Sequence, residues 1–100
     1  MSYQALLEHS NKMLDSVRNG DWDTLIETEV EYVREVERLS YAESGVELSD
    51  EQKLQKMTVL HTIMDQDREI RERLIERRAK LEETLLSMQK KQQLEHSYRN

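Results

Sequence analysis

The chain has 100 residues and a net charge of -6, with 36% charged and 36% hydrophobic residues, two glycines and no proline, phenylalanine or cysteine. This length allows one domain with little room for a broad core around a buried active site, and the lack of cysteine excludes disulfides, thiolate metal sites and a catalytic thiol. The acidic residues outnumber the basic ones 11 to 4 over residues 1–49 but fall to 5 against 8 over residues 71–100, and those five are glutamates scattered through the basic tail, which argues against nucleic acid as the main ligand.

The composition is that of long helices with narrow apolar stripes, so the expected fold is all-α. Apolar runs reach only two or three residues, too short to insert in a membrane, and the start MSYQALLEHSNK lacks the basic and apolar regions of a signal peptide. A soluble, cytoplasmic protein is the expectation.

Over residues 2–18, Tyr3, Leu6, Leu7, Met13, Leu14 and Val17 recur at the three-and-four spacing of one helical face. Asn19-Gly20 ends this first helix, because glycine reaches left-handed backbone angles cheaply just past a helix C-terminus, and Asp21 is placed to cap the next. So short a connection forces an antiparallel hairpin. The second helix is expected over about 22–41, with a seam of Trp22, Leu25, Ile26, Val30, Val33, Val36 and Leu39 and with Asp23, Glu27, Glu31, Arg34, Glu35 and Arg38 outside it. Trp22, at the hairpin corner, reads as a plug for the end of the bundle.

Gly45 breaks the pattern, and Ser49-Asp50-Glu51-Gln52 fits a capping box that opens a third helix. No breaker follows, so the helix is expected over about 50–94, through Leu54, Met57, Leu60, Ile63, Met64, Ile70, Leu74, Ile75, Leu81, Leu85, Met88 and Leu94. The expected architecture is therefore an antiparallel hairpin packed on a long third helix, within a single domain spanning residues 1–100.

Helix lengths at 1.5 Å per residue give roughly 25 and 30 Å for the hairpin arms but roughly 65 to 70 Å for the third helix. Its second half must overhang while still carrying Leu74, Ile75, Leu81, Leu85, Leu86 and Met88. Such a stripe calls for a cover: a second copy in a homodimer, a further helix of the same protein, or a client polypeptide bound through these anchors. Asp67 and Arg77 interrupt the seam, which fits the drift of a straight helix against a heptad, with a register-setting role as the alternative.

Catalytic constellations are missing. His9, His61 and His96 are far apart and none follows a Glu at the spacing of a di-iron bundle, and there is no phosphate-binding glycine loop or nucleophile elbow. His61 reads as a partly buried core histidine. Met57, Met64 and Met88 read as gap-filling core residues, the alternative being an adaptable partner surface. No enzyme, metal or cofactor is expected.

The segment GDWDTLIETEVEYVREVE resembles the signature turn and second helix of the FliT-like flagellar export chaperones: a Gly-acidic-Trp step, a Leu pair and a Glu-Val-x-Tyr. The tail QQLEHSYRN resembles the end of that family's long helix, with a Leu four residues before a Tyr. The resemblance implies a cytoplasmic chaperone of the flagellar type III export system that binds the filament-cap protein before export and prevents its premature association. It further implies delivery to the export ATPase complex and the membrane export gate, and, in several members, regulation through the flagellar master transcription activator. Tyr98 matches a tyrosine just beyond the long helix that the family uses in docking to the export gate, while Leu74, Ile75, Leu81, Leu85 and Met88 supply the client-binding character. Better-known members continue into a further helix that restricts partner access. The other reading of the same stripe is a structural helical dimer or coiled-coil adaptor.

Overall fold

A computed structural model describes residues 3–99 and consists of α1 (Tyr3–Asn19), α2 (Trp22–Glu43) and α3 (Asp50–Arg99). Gly20 makes the first turn with φ of 69°. Its N–H donates to the Val17 carbonyl at 3.3 Å and the Asp21 N–H to the Ser16 carbonyl at 2.8 Å, the paired bonds that satisfy the last carbonyls of a helix. Asp21 then caps α2, one carboxylate oxygen accepting from the Thr24 N–H at 3.2 Å and the other from the Thr24 hydroxyl at 2.6 Å. These bonds, that from the Thr24 hydroxyl first, hold the Asp21 carboxyl below its usual pKa.

At the other end Ser49 and Gln52 close the capping box reciprocally. The Ser49 N–H donates to the Gln52 side-chain oxygen at 2.9 Å and the Gln52 N–H to the Ser49 hydroxyl at 3.2 Å. With no breaker after it, α3 continues for 50 residues, five beyond Leu94, and gives the molecule its 75 Å long axis against 20 Å in the other two directions.

The three helices share one small bundle in which α1 is the middle element. Its buried residues Leu6, Ser10, Leu14, Ser16 and Val17 wrap about half of the helix circumference at 100° per residue, enough to meet a neighbour on each side. Two apolar clusters result. Leu14 and Val17 meet Leu25 of α2 and Ile70 of α3, while Leu6 meets Leu39 and Ile63 with Leu7, Tyr32 and Val59 alongside. Side-chain bonds fasten α3 parallel to α1: Gln66 bridges Ser10 and Asn11, and Glu69 takes Arg18 in a two-pronged pair at 2.6 and 2.8 Å.

The buried side of α2 differs from the expected seam. Leu25, Thr28 and Leu39 are buried, with Tyr32 and Glu35 partly so, whereas Ile26, Val30, Val33 and Val36 are exposed. The helix has two apolar faces, and the bundle uses the one that carries the residue pair Thr28 and Tyr32. Burial, and then the charge of Asp67, raise the Tyr32 phenol pKa. On α3, Leu54, His61, Met57 and Met64 are likewise exposed, because α1 reaches only the line through Val59, Ile63 and Ile70. His61 and these methionines are therefore surface residues rather than core.

Thr28 is 1% exposed and its hydroxyl finds no hydrogen-bond partner among the described residues. Replacing a buried, unpaired hydroxyl by a methyl of the same shape removes a desolvation penalty of about 1 to 3 kcal/mol. Thr28→Val is accordingly expected to raise the melting temperature by roughly 4 to 8 °C for each kcal/mol of that penalty, read by circular dichroism.

Glu69 also accepts from Arg73 at 3.0 Å, so two guanidinium groups, Arg18 foremost, hold its carboxyl down from 4.5 to about 2. The folded pKa lies below the unfolded one, so this contribution to stability is present above pH 4.5 and is lost as pH falls toward about 2. Glu69→Gln should flatten the dependence of the melting temperature on pH across that window and leave the slope above it unchanged. The triad is partly solvated, which keeps the effect modest.

Candidate functional site

From Leu74 to Tyr98 every side chain is exposed, so α3 has no buried residue after the level of Arg73 and runs on for about 39 Å at 1.5 Å per residue, its first turns there passing the Trp22 corner. It leaves the bundle at the α1–α2 turn, since Ile70 still packs on Leu14, Val17 and Leu25. The residues Leu74, Leu81, Leu85 and Met88 lie within about 60° of one another at 100° per residue and prolong the line of Ile63 and Ile70 into solvent. What α1 covers in the first half of α3 is left uncovered in the second.

Ile75 does not share that line. It lies about 120° round from Leu81, on a second line with Met57, Met64 and Leu86 at intervals of seven and eleven residues. Of the five residues expected to form one client-binding stripe, four fall together and Ile75 stands on the adjacent side. Tyr98 is 88% exposed and sits in the last turn of α3, not just beyond the helix, some 15 Å past Met88 by helical rise.

Trp22 occupies the corner where α3 departs. It packs partly buried against the cluster of Leu14, Val17, Leu25 and Ile70, and the Arg77 guanidinium stacks over its ring with 4.1 Å from the guanidinium carbon to the ring centroid. The polar interruption at position 77 thus has a local physical reason: a planar cation on an indole face is attracted to the ring quadrupole and needs no apolar partner. Asp67, the other interruption, is partly buried and pairs with Arg71 at 2.8 Å. Beside the indole is a notch of about 270 Å³, floored by Val17, Trp22 and Leu81 and rimmed by Arg77, Lys80 and Thr84.

The opposite end of the bundle holds a second concavity that sequence reasoning missed. An open cleft of about 800 Å³ lies beneath the α2–α3 loop, between Tyr3, Leu39, Val46, Leu48, Leu54 and Val59. At its edge Lys56 pairs with Glu43 at 2.7 Å and stands 5.5 Å from the Tyr3 ring centroid. Only the apolar residues of the loop, Val46 and Leu48, hint at it in the sequence.

The arrangement offers apolar side chains along an unsupported helix and no cluster of three metal-ligating groups among the described residues. No helix is long and apolar enough to cross a membrane among the described residues. The family model for the flagellar protein FliT matches residues 1–100. The chain belongs to the FliT family. It is 32% identical over 99 residues to the flagellar protein FliT of Photorhabdus laumondii, covering 97% of this chain and 78% of the relative. It is 31% identical over 96 residues to the FliT protein of Pectobacterium carotovorum and 30% identical over 96 residues to that of Pectobacterium atrosepticum, each alignment covering 96% of this chain and 76% of the relative. No solved structure matches the chain.

Within the FliT-like block, Gly20 and Asp21 build the turn, Leu25 is buried, and Trp22 and Tyr32 line the clusters. The part of the sequence most characteristic of the FliT resemblance therefore maintains the hairpin, while the exposed stripe of α3 carries no motif.

Proposed function

We propose that the chain is a chaperone of flagellar type III export that acts in the cytoplasm, binds the filament-cap protein before secretion and keeps it from associating prematurely. The observation that supports this most is the line Leu74, Leu81, Leu85 and Met88: apolar, helical in spacing, and left uncovered by the bundle that buries its continuation. An amphipathic client helix laid along α3 covers those side chains as α1 covers Ile63 and Ile70, the helix-in-groove mode. Ile75 borders the client from the adjacent side. Holding a helix in this way requires no catalysis, metal or cofactor.

In the same reading the loaded chaperone passes its client to the export ATPase complex and to the membrane export gate, with Tyr98 docking at the gate from the far tip of α3. The free chaperone engages the flagellar master transcription activator and links gene expression to client supply. The full exposure of Tyr98, well past the client stripe, supports a separate contact.

Sedimentation of the full chain at falling concentration, with and without purified filament-cap protein, tests the reading against a structural homodimer. A chaperone gives a mixed complex whose formation displaces any self-association. Self-association that persists on dilution and excludes the cap protein would favour the permanent dimer instead.

A further inference from the structure

The notch beside Trp22 combines an apolar floor with cations that lack partners. Arg71, Arg73 and Arg78 each hold a carboxylate of α3, whereas among the described residues neither Arg77 nor Lys80 enters an ion pair. Glu76 also lines the notch, but Arg77 and Lys80 outnumber it, Arg73 being held by Glu69. Contact with the indole ring restrains the Arg77 guanidinium, so less side-chain freedom is left to lose when its N–H groups donate to an anion. Leu81 belongs both to the notch and to the apolar line that runs on to Leu85 and Met88. A helix lying on that line therefore reaches the notch where α3 meets the bundle.

We propose that the notch receives an aspartate or glutamate side chain of the client helix, its carboxylate taken by Arg77 and Lys80 while the adjoining apolar side chain rests on Trp22 and Leu81. The inference rests on the client-binding reading and adds to it a fixed point: apolar stripes alone tolerate sliding, and one carboxylate in one notch sets the register of the client along α3. Opposite charge at a contact that excludes water discriminates against helices that are apolar but lack the acid.

The test titrates the full chain with purified filament-cap protein of the same bacterium at roughly 50 and 200 mM salt, where screening of exposed charges differs most usefully. Wild type is compared with the double variant Arg77→Gln, Lys80→Gln and with Leu81→Asp, helicity being checked by circular dichroism. The double variant is expected to bind about tenfold more weakly at low salt, as loss of a close charge pair implies, and to lose most of the salt dependence of the wild type. Leu81→Asp should bind at neither salt concentration. Unchanged affinity in the double variant beside a null Leu81→Asp would overturn the notch while leaving the chaperone reading intact. Weakened binding with the wild-type salt dependence would also overturn it, by tracing the loss to packing on Trp22. A wild type that ignores the cap protein would remove both readings together.

Discussion

Leu81→Asp is expected to reduce affinity for the filament-cap protein at least 100-fold, roughly 2.7 kcal/mol, without unfolding the chaperone. Leu81 is 50% exposed in the free protein and belongs to neither buried cluster, so the free fold depends on it little. Placing a carboxylate there costs the helix only about 0.6 kcal/mol in propensity. In the complex the same carboxylate would replace an apolar anchor against the client, where burying a charge is costly, and one turn after Arg77 it would also compete for the cation that the notch offers. Isothermal titration measures the loss, and an unchanged far-ultraviolet spectrum excludes unfolding as its cause. Ile75→Asp serves as the comparison: from the adjacent line it should reduce affinity several-fold at most. Equal losses from both variants would mean that the client covers α3 more broadly than the line of Leu81.

Ile70→Ala is expected to lower stability by about 2 to 4 kcal/mol, the usual cost of a large-to-small change in a core. Ile70 is 5% exposed and is the α3 residue in the cluster of Leu14, Val17 and Leu25. The core has few buried apolar side chains in all, and the total stability of a domain this size is roughly 5 to 15 kcal/mol, so one such loss removes a large share. Chemical denaturation should show a lower midpoint. The reach of the effect is informative: Ile70 precedes the overhang directly, so its loss should also free Arg77 from Trp22 and weaken cap-protein binding. Leu81→Asp separates the two quantities by changing binding at constant stability.

The hairpin was legible because its signals are local. Gly20 supplies a left-handed angle, Asp21 caps the next helix, and Ser49 with Gln52 forms a box that needs no tertiary partner. The overhang was legible from helix lengths alone. The choice of face was not: α2 carries enough valine and isoleucine to make a second apolar side, and counting apolar positions led to Ile26, Val30, Val33 and Val36, while the bundle buries Thr28 and half-buries Tyr32. Small polar residues such as Ser10, Ser16 and Thr28 let helices approach closely, and periodicity of apolar residues does not register them.

The same limit applied on α3. Met57, Met64 and His61 sit at intervals that suit a core, and only the position of α1, which covers the line of Ile63 and Ile70, exposes them. Likewise Arg77 appeared in the sequence as a fault in a seam. By itself the sequence determined three helices, their order, the tight first turn and the excess length of the third, because capping, glycine geometry and helical rise act within a few residues. The tertiary structure decided which faces are buried and that Arg77 lies on Trp22, because each depends on side chains more than fifty residues apart or on which of two apolar faces another helix happens to cover.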